Sequence, residues 1–336
     1  MIEKTPLVSI ITGYYNRAAF VDESIQSLCD QTYQNIEIII FDDCSTDGTY
    51  EKLVRFERKD PRVKVIRHEK NKGFVQGLMD AISVSKGDFI AIHGSGDFSY
   101  PERIEKQWRL LSERPDVGAV GSYVENVFNK NGKEEIVVYG SDLDGDVSEI
   151  LKEKNIYTHG EVMLRRSALE KAGGYRNFFV YAQDYDLWSR MTFVCHFFTI
   201  KEILYRRYNL ADGATTVKEK RLRQLLLAAV IKNNIQRHQN GETDLVEKFG
   251  TEAISHISYV NPEFLKQIFR ITLGVFLNKG KASKTVVEAI NLILKQSHNR
   301  KMRFWSYLLF KITPEKAARK LLRNYRFRNH VIESVK

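Results

Sequence analysis

Four short runs of β-branched and other apolar residues, 7 to 12 (LVSIIT), 36 to 41 (IEIIIF), 63 to 67 (VKVIR) and 88 to 93 (DFIAIH), constrain the fold more than any other feature of the chain. They are nearly continuous in apolar character, the pattern of strands buried on both faces. Between them apolar residues recur at helical spacing: Val21, Ile25 and Leu28, then Leu53 and Phe56, then Leu78 and Ile82. Strand and helix in strict succession predict βαβ units, hence an α/β fold with a mostly parallel sheet covered by helices. Open sheets of this kind bind ligands at the carboxyl ends of their strands, so the loops after the four runs are the candidate functional segments.

Past residue 93 the alternation stops. Ser99-Tyr100-Pro101-Glu102 has the spacing of a capping box with Pro in the first turn, and Ile104, Trp108 and Leu111 give the predicted helix one apolar face. Strand-like runs follow at 117 to 128 and 195 to 205, with a helix after Asp184. Beyond Asn209 the texture becomes long amphipathic helices, for example Leu222, Leu225, Leu226 and Ala229, then Leu265, Ile268, Phe269 and Thr272. A boundary near residue 212 therefore separates residues 1 to 212 from a helical domain, 213 to 336.

Charge divides the same way. From residue 210 onward there are 24 Lys and Arg against 10 Asp and Glu, a net of +14, which leaves −4 of the overall +10 for residues 1 to 209. A composition of 43% hydrophobic and 28% charged residues excludes collagen, a disordered tail protein and a disulfide scaffold. The apolar run at 225 to 231 (LLLAAVI) falls far short of the about 20 residues that span a bilayer. The start, MIEKTPLVSII, shows no secretory signal, and Cys29, Cys44 and Cys195 are odd in number and far apart, as expected of reduced thiols. A cytoplasmic protein is expected.

The first run ends in Thr12-Gly13-Tyr14-Tyr15-Asn16, where glycine lets the backbone approach a ligand and the aromatic rings offer a stacking surface. The second ends in Asp42-Asp43-Cys44-Ser45-Thr46-Asp47-Gly48. A carboxylate here can accept hydrogen bonds from a base N–H or a ribose hydroxyl. Helix capping accounts for one of Ser45, Thr46 and Asp47, but not for both Asp42 and Asp43.

The ordered blocks VSIITGYYNRAAFVDESIQSLCDQTYQNIEIIIFDDCSTDGT, NKGFVQGLMDAISVSKGDFIAI, YPERIEKQ, GGYRNFFVYAQDYDLWSRM and LYRRYNLADGATT resemble, over residues 6 to 216, the inverting, nucleotide-sugar-dependent glycosyltransferases of family two. Ordered blocks at matching spacings are more specific than a lone glycine motif. The resemblance implies a GT-A fold, Rossmann-like, ahead of the helical domain. It implies transfer of a sugar from a UDP-type donor to a hydroxyl of a saccharide acceptor, in bacterial surface polysaccharide synthesis such as capsule or O-antigen. Carried over residue by residue, it implies donor binding by Gly13, Tyr14, Tyr15, Asn16, Asp42, Asp43, Asn71 and Gly73, with Asp43 on the polar edge of the base. Asp184 takes the place of the catalytic base, deprotonating the acceptor hydroxyl as it attacks the anomeric carbon. Capping of the helix is the alternative role for Asp184, while Asp186 is read as solvated or structural. Gln183 stands where the family often has Glu and can orient an acceptor. His159 and Glu161, on a strand-like segment, fall where the family builds its acceptor side.

The pattern breaks at one place. The family's fourth strand normally ends in an Asp-x-Asp-Asp cluster that binds a divalent cation, and this chain has Gly94-Ser95-Gly96-Asp97. One carboxylate makes a weak site for Mg2+ or Mn2+, so Asp97 is a candidate metal ligand of reduced strength; no organic cofactor is expected. The alternatives for holding the diphosphate are backbone N–H groups around Ser95 and Gly96, with positive charge from Lys72, His93, Arg206 or Arg207. Arg206 and Tyr208 fall where the family often has an Arg and a His closing over the donor. The same departure keeps open a catalytically degenerate partner subunit that binds nucleotide or saccharide without turnover.

In the basic region Phe304, Trp305, Leu308, Leu309 and Ile312 share one expected helical face, bordered by Lys301, Arg303 and Lys311. Such a face fits an anionic membrane surface, and with it a lipid-linked acceptor and peripheral placement at the inner face of the cytoplasmic membrane. Packing against protein, including a second copy in a homo-oligomer, is the other reading. No nucleic-acid module accompanies the charge, so nucleic acid is not an expected partner.

Overall fold

The computed structural model describes residues 5–130, 133–143, 145–209 and 217–335. The chain forms two compact units, Met1–Leu210 and Ala211–Lys336. The first is α/β. Its elements run β1 (Val8–Tyr14), α1 (Val21–Cys29), β2 (Ile36–Asp42), α2 (Thr49–Lys59), β3 (Val63–Arg67), α3 (Phe74–Val84), β4 (Phe89–His93), β5 (Phe98–Ser99), α4 (Arg103–Glu113), β6 (Val117–Lys130), β7 (Lys133–Tyr139), α5 (Ser148–Glu153), β8 (Met163–Arg165), α6 (Arg166–Lys171), α7 (Gln183–Met191) and β9 (His196–Asn209).

The sheet order is β3-β2-β1-β4-β8-β6-β9-β5, with β7 paired to β6. The first four strands are parallel; β8 joins β4 antiparallel, β6 joins β8 antiparallel, and β9 returns parallel to β6. Strand side chains alternate between faces. Val8, Ile10 and Tyr14 of β1, with Ile38 and Ile40 of β2, therefore meet Val21, Ile25 and Leu28 of α1, Leu53 of α2, and Ile104 and Leu111 of α4. Ile11, Ile39, Phe41, Ile90 and Ile92 project to the opposite face, against Val75 and Leu78 of α3 and Leu187, Trp188 and Met191 of α7. Both faces of β1, β2 and β4 are buried, as their continuous apolar runs require, but β3 lies at the sheet edge, where only Val63 is buried and Lys64 and Arg67 are exposed, so the expectation of a doubly buried strand fails there.

The expected capping box at Ser99 does not form. Ser99 is drawn into β5, which pairs with β9, and its hydroxyl accepts from the Arg103 guanidinium (2.8 Å) and meets His93 Nδ1 (3.1 Å). Helix α4 therefore starts at Arg103 with no side-chain cap.

The second unit is helical: α8 (Lys218–Gln239), α9 (Leu245–Phe249), α10 (Pro262–Lys279), α11 (Lys284–Gln296), α12 (Arg300–Tyr307), α13 (Glu315–Arg323) and α14 (Tyr325–Ser334). Five starts carry a side chain that accepts the otherwise orphaned first-turn N–H groups: Asp244, Asn261, Ser283, Asn299 and Asn324. The single apolar face expected around residue 304 is split. A π-type turn at Leu308–Ile312 follows α12 and changes the angular spacing. Leu309 is buried, and Trp305 donates to Ser334 Oγ (2.9 Å) and packs on Phe327, while Phe304 and Ile312 face solvent at 57% and 61% exposure. Among the described residues no helix is long and apolar enough to cross a membrane.

Candidate active site

The carboxyl ends of β1, β2 and β4 lie side by side because these strands are parallel neighbours. Hydrogen bonds stitch the first two loops together. Asn16 holds a left-handed backbone (φ 51°), its N–H donates to Ser45 Oγ (2.9 Å), and its Oδ1 accepts from Thr46 N–H (2.9 Å). Asp42 is fully buried; one carboxylate oxygen accepts from Ser45 N–H (3.1 Å) and the other has no partner.

Asp43 organises the next turn. Its Oδ1 accepts from Lys72 N–H (2.7 Å) and meets His68 Nδ1 (2.9 Å), while Oδ2 accepts from Gly73 N–H (2.9 Å). Asn71 closes the loop by donating to the Asp43 carbonyl (3.2 Å) and accepting from Gly73 N–H (3.1 Å). Gly73 has φ 83°, where a side chain would be strained. Each Asp43 oxygen has two lone pairs, so Oδ2 retains one acceptor position.

From Gly73 the chain enters α3 at Phe74, whose ring meets His159 edge-on at 5.7 Å. His159 sits on a helical turn, not the expected strand, with its Nε2 at 2.8 Å from the Tyr175 hydroxyl and its ring against Trp188. Burial pushes the imidazole down to about 4, partly offset by the carboxylate of Asp184, and so keeps the ring neutral near pH 7. Asp184 also acts electrostatically on Tyr175. It is the second residue of α7, whose N-cap is Ala182, so Asp184 does not cap the helix; its Oδ2 accepts from Asn155 Nδ2 (3.0 Å). Gln183, just before it, has a buried Oε1 with no partner. Two residues on, Asp186 is buried and bound by Arg176 and Arg190, a structural pair.

The third loop, 94 to 97, touches the His159 turn. An ideal Cβ on Gly160 would lie 3.0 Å from Gly94 N and 2.0 Å from the Tyr205 hydroxyl, so glycine at 160 is what admits that hydroxyl. Tyr205, from β9, accepts from Gly94 N–H (2.8 Å) and donates to Asp97 Oδ2 (2.7 Å), and Asp97 Oδ1 accepts from Tyr208 N–H (3.0 Å). The Asp43 turn, through Phe74, and the Asp97 loop, through Tyr205 and Gly160, thus both meet the His159 turn, and the Asp184 carboxylate acts on His159 through space.

The model for glycosyl transferase family 2 matches residues 9–173. A putative glycosyltransferase of Bacillus subtilis, EpsE, is 34% identical over 219 residues, covering 64% of this chain and 73% of that protein. The chain belongs to glycosyl transferase family 2. An uncharacterised glycosyltransferase of Haemophilus influenzae is 32% identical over 203 residues, and the match spans 62% of its length. The O-antigen biosynthesis glycosyltransferase WbnJ of Escherichia coli is 31% identical over 192 residues, 73% of its length. Among solved structures, residues 1–349 of Staphylococcus aureus TarS, in complex with UDP-GlcNAc, superpose with a TM-score of 0.56 at 16% identity, covering 87% of this chain and 93% of that one. The Pyrobaculum calidifontis mannosyltransferase PcManGT, in complex with GDP-Man and Mn2+, gives 0.55 at 16%, covering 96% and 88%. At these identities the likeness shows the fold, which is GT-A.

Within this family 2 frame several expected positions are occupied differently. Tyr14 is not a stacking surface: by strand parity it points with Val8 and Ile10 into the core, where its hydroxyl meets Ser24, and only Tyr15 is exposed, at 50%. Gly13 is glycine for packing, since a Cβ there would strike the Phe41 ring at 2.0 Å. Glu161 is 1% exposed; Oε1 accepts from Thr158 N–H (3.0 Å), Oε2 has no partner, and burial raises its pKa well above the usual carboxylate range. It stands behind the rim, not on an acceptor surface. Arg206 turns away from loop 94–97, donating to Glu125 (2.7 Å) and the Tyr100 hydroxyl (3.0 Å).

The residues present do not fit a protein-built metal site. Both Asp97 oxygens already accept protein hydrogen bonds, and Gly94 and Gly96 bring no ligand. Among the described residues no group of three His, Cys, Asp or Glu side chains converges as metal ligands. Hard cations require several such oxygens.

Proposed function

We propose that this chain moves a sugar, of hexosyl type, from a nucleoside diphosphate sugar to a hydroxyl of a saccharide acceptor by a single inverting displacement. The observation that carries this reading is the run of contacts from the Asp43-ordered turn through Phe74 to His159, whose ring lies within the electrostatic reach of the Asp184 carboxylate, with loop 94–97 against the His159 turn. On this reading the exposed Tyr15 ring stacks the base, and the remaining lone pair of Asp43 Oδ2 accepts a base N–H. Ser95 and its neighbours lie under the diphosphate. Asp184, held by Asn155, takes the proton of the acceptor hydroxyl as it attacks the anomeric carbon from the face opposite the leaving group. Gln183, whose Oε1 is buried, does not present that oxygen to the acceptor as expected, and neutral His159 holds the Tyr175 hydroxyl.

TarS was solved with UDP-GlcNAc and PcManGT with GDP-Man, which supports a nucleotide-sugar donor, here of UDP type. PcManGT also carries Mn2+. Loop 94–97 of this chain offers no comparable donor set, since both Asp97 oxygens already accept hydrogen bonds. WbnJ acts in O-antigen biosynthesis, which supports a surface-polysaccharide setting. A lipid-linked acceptor gives the basic helical unit a purpose: exposed Phe304, Tyr307 and Ile312 beside Arg300 and Arg303 suit an anionic membrane surface.

The test is release of nucleoside diphosphate from a panel of nucleotide sugars, with magnesium, manganese or chelator. Turnover that collapses in Asp184→Asn supports the transferase. Tight donor binding with no turnover of any sugar and no acceptor modified would instead support a binding-only subunit, the reading favoured by the Gly94-Ser95-Gly96 replacement.

A further inference from the structure

Of the four basic residues that the sequence offers for the diphosphate, Lys72, His93, Arg206 and Arg207, three are committed elsewhere. Lys72 Nζ is bound to Asp80 (2.7 Å), Arg206 to Glu125, and His93 is fully buried, with Nε2 on Ser24 Oγ (3.0 Å) and Nδ1 on Ser99 Oγ. Arg207 is the fourth. Strand alternation puts it on the same face of β9 as Tyr205, whose hydroxyl touches both Gly94 N–H and Asp97, while the next residue, Tyr208, donates its backbone N–H to Asp97. Arg207 pairs through its backbone in the β6–β9 ladder, but among the described residues neither its guanidinium nor the Ser95 hydroxyl at the tip of the loop has a hydrogen-bond or ion-pair partner.

We infer that Arg207, together with Ser95 at the loop tip, is the diphosphate-binding group of this chain, standing in for the metal ion of a family relative, and that Asp97 is a latch tying β9 to the loop.

The charge balance supports the assignment. Arg207 acts on both Asp97 and Glu161 through space, and a second guanidinium, Arg103, lies fully buried beneath the Tyr205 ring at 4.8 Å. Burial disfavours the ionised form of Glu161, while the Arg103 and Arg207 guanidinium groups both act on Asp97, an arrangement that favours an anionic ligand at the loop. A planar guanidinium is suited to bidentate phosphate binding, and its charge does not depend on pH. The glycines fit the same account: an Asp at 94 would collide with the latch, since even a Cβ there lies 2.2 Å from Asp97 Oδ2.

This inference rests on the proposed donor site, and the experiment separates the two. Calorimetric titration compares UDP with uridine on the full chain, in wild type, Arg207→Ala and Arg207→Lys, each with EDTA and with Mn2+. GDP, CDP and TDP with their nucleosides serve as parallel arms. Losing a charge-assisted contact in Arg207→Ala is expected to weaken diphosphate binding about tenfold to a hundredfold, with nucleoside affinity within about twofold and Lys intermediate. EDTA is expected to change wild-type diphosphate affinity by less than about threefold. Equal weakening of diphosphate and nucleoside, an unaffected Arg207→Ala, or a tenfold loss with EDTA restored by Mn2+ overturns the inference while leaving the donor site standing. Failure of every nucleoside diphosphate to bind overturns the donor site itself.

Discussion

If Asp184 is the base proposed above, two aspartates on one helix turn separate catalysis from stability. Asp184 accepts a single hydrogen bond, from Asn155, and an amide oxygen at the same place can accept it too. Asp184→Asn therefore costs at most about 1 kcal/mol, the net worth of one hydrogen bond, or a fall of about 2–4 °C in Tm for a unit of this size. Removing a general base costs about two to four orders of magnitude in turnover. Asp186 is the opposite case: its carboxylate is 2% exposed and bound by Arg176 and Arg190. Asp186→Asn removes the buried carboxylate that neutralises two partly exposed guanidinium groups, a loss of about 3 kcal/mol, or about 6–12 °C in Tm. The assay is nucleoside diphosphate release at a temperature where both variants are folded, beside calorimetric melting curves. Asp184→Asn should be nearly as stable as wild type and almost inactive, and Asp186→Asn unstable but active. Turnover within tenfold of wild type in Asp184→Asn would refute the base assignment. A melting loss matching that of Asp186→Asn would make Asp184 structural.

Three further outcomes are expected. Burial pushes His93 down to about 3, so the unfolded chain binds more protons than the folded one between about pH 3 and 6.5, and stability falls on acidification through that window by up to about 3 kcal/mol at pH 4. Raised Asp97 and Glu161 act in the opposite direction, so the check is the difference in melting against pH: the slope should be shallower in His93→Gln than in wild type, and an identical slope contradicts it. Restoring acids by Gly94→Asp and Gly96→Asp should lower Tm without creating a cation site, because Cβ at 94 meets Asp97 and Gly96 sits at φ 94°; manganese-dependent stabilisation of the double variant would contradict this. Co-sedimentation with vesicles containing phosphatidylserine should be strong at low salt, weak at 0.5 M salt, and several-fold reduced in Phe304→Ser/Tyr307→Ser/Ile312→Ser. Full recovery in the supernatant at low salt would remove the membrane proposal.

The alternation of β1 to β4 with α1 to α3 was legible because buried parallel strands and amphipathic helices write different periods into a sequence. The rim segments were legible too, since Asp, Asn and Gly cluster where the chain leaves each strand. Tyr14 was misassigned for want of a parity argument that the sequence does contain: it shares even numbering with Val8 and Ile10, and so the core face. Parity on β9 likewise separates Arg207 from Arg206, but only once the Tyr205 hydroxyl is known to reach Gly94 and Asp97 from more than a hundred residues away. The latch, the buried Arg103 and the seating of Ser99 in β5 are long-range pairings with no local pattern. The stripe at 304 to 312 was read with one helical period, which the π-type turn breaks.

The most direct test of the account is a structure of the Asp184→Asn protein with a nucleotide sugar bound. The account predicts the base on Tyr15 and Asp43, the diphosphate over Ser95 within hydrogen-bond reach of Arg207, and the anomeric carbon facing residue 184. A sugar whose anomeric carbon points away from α7, or a nucleotide seated away from the ends of β1, β2 and β4, would contradict it.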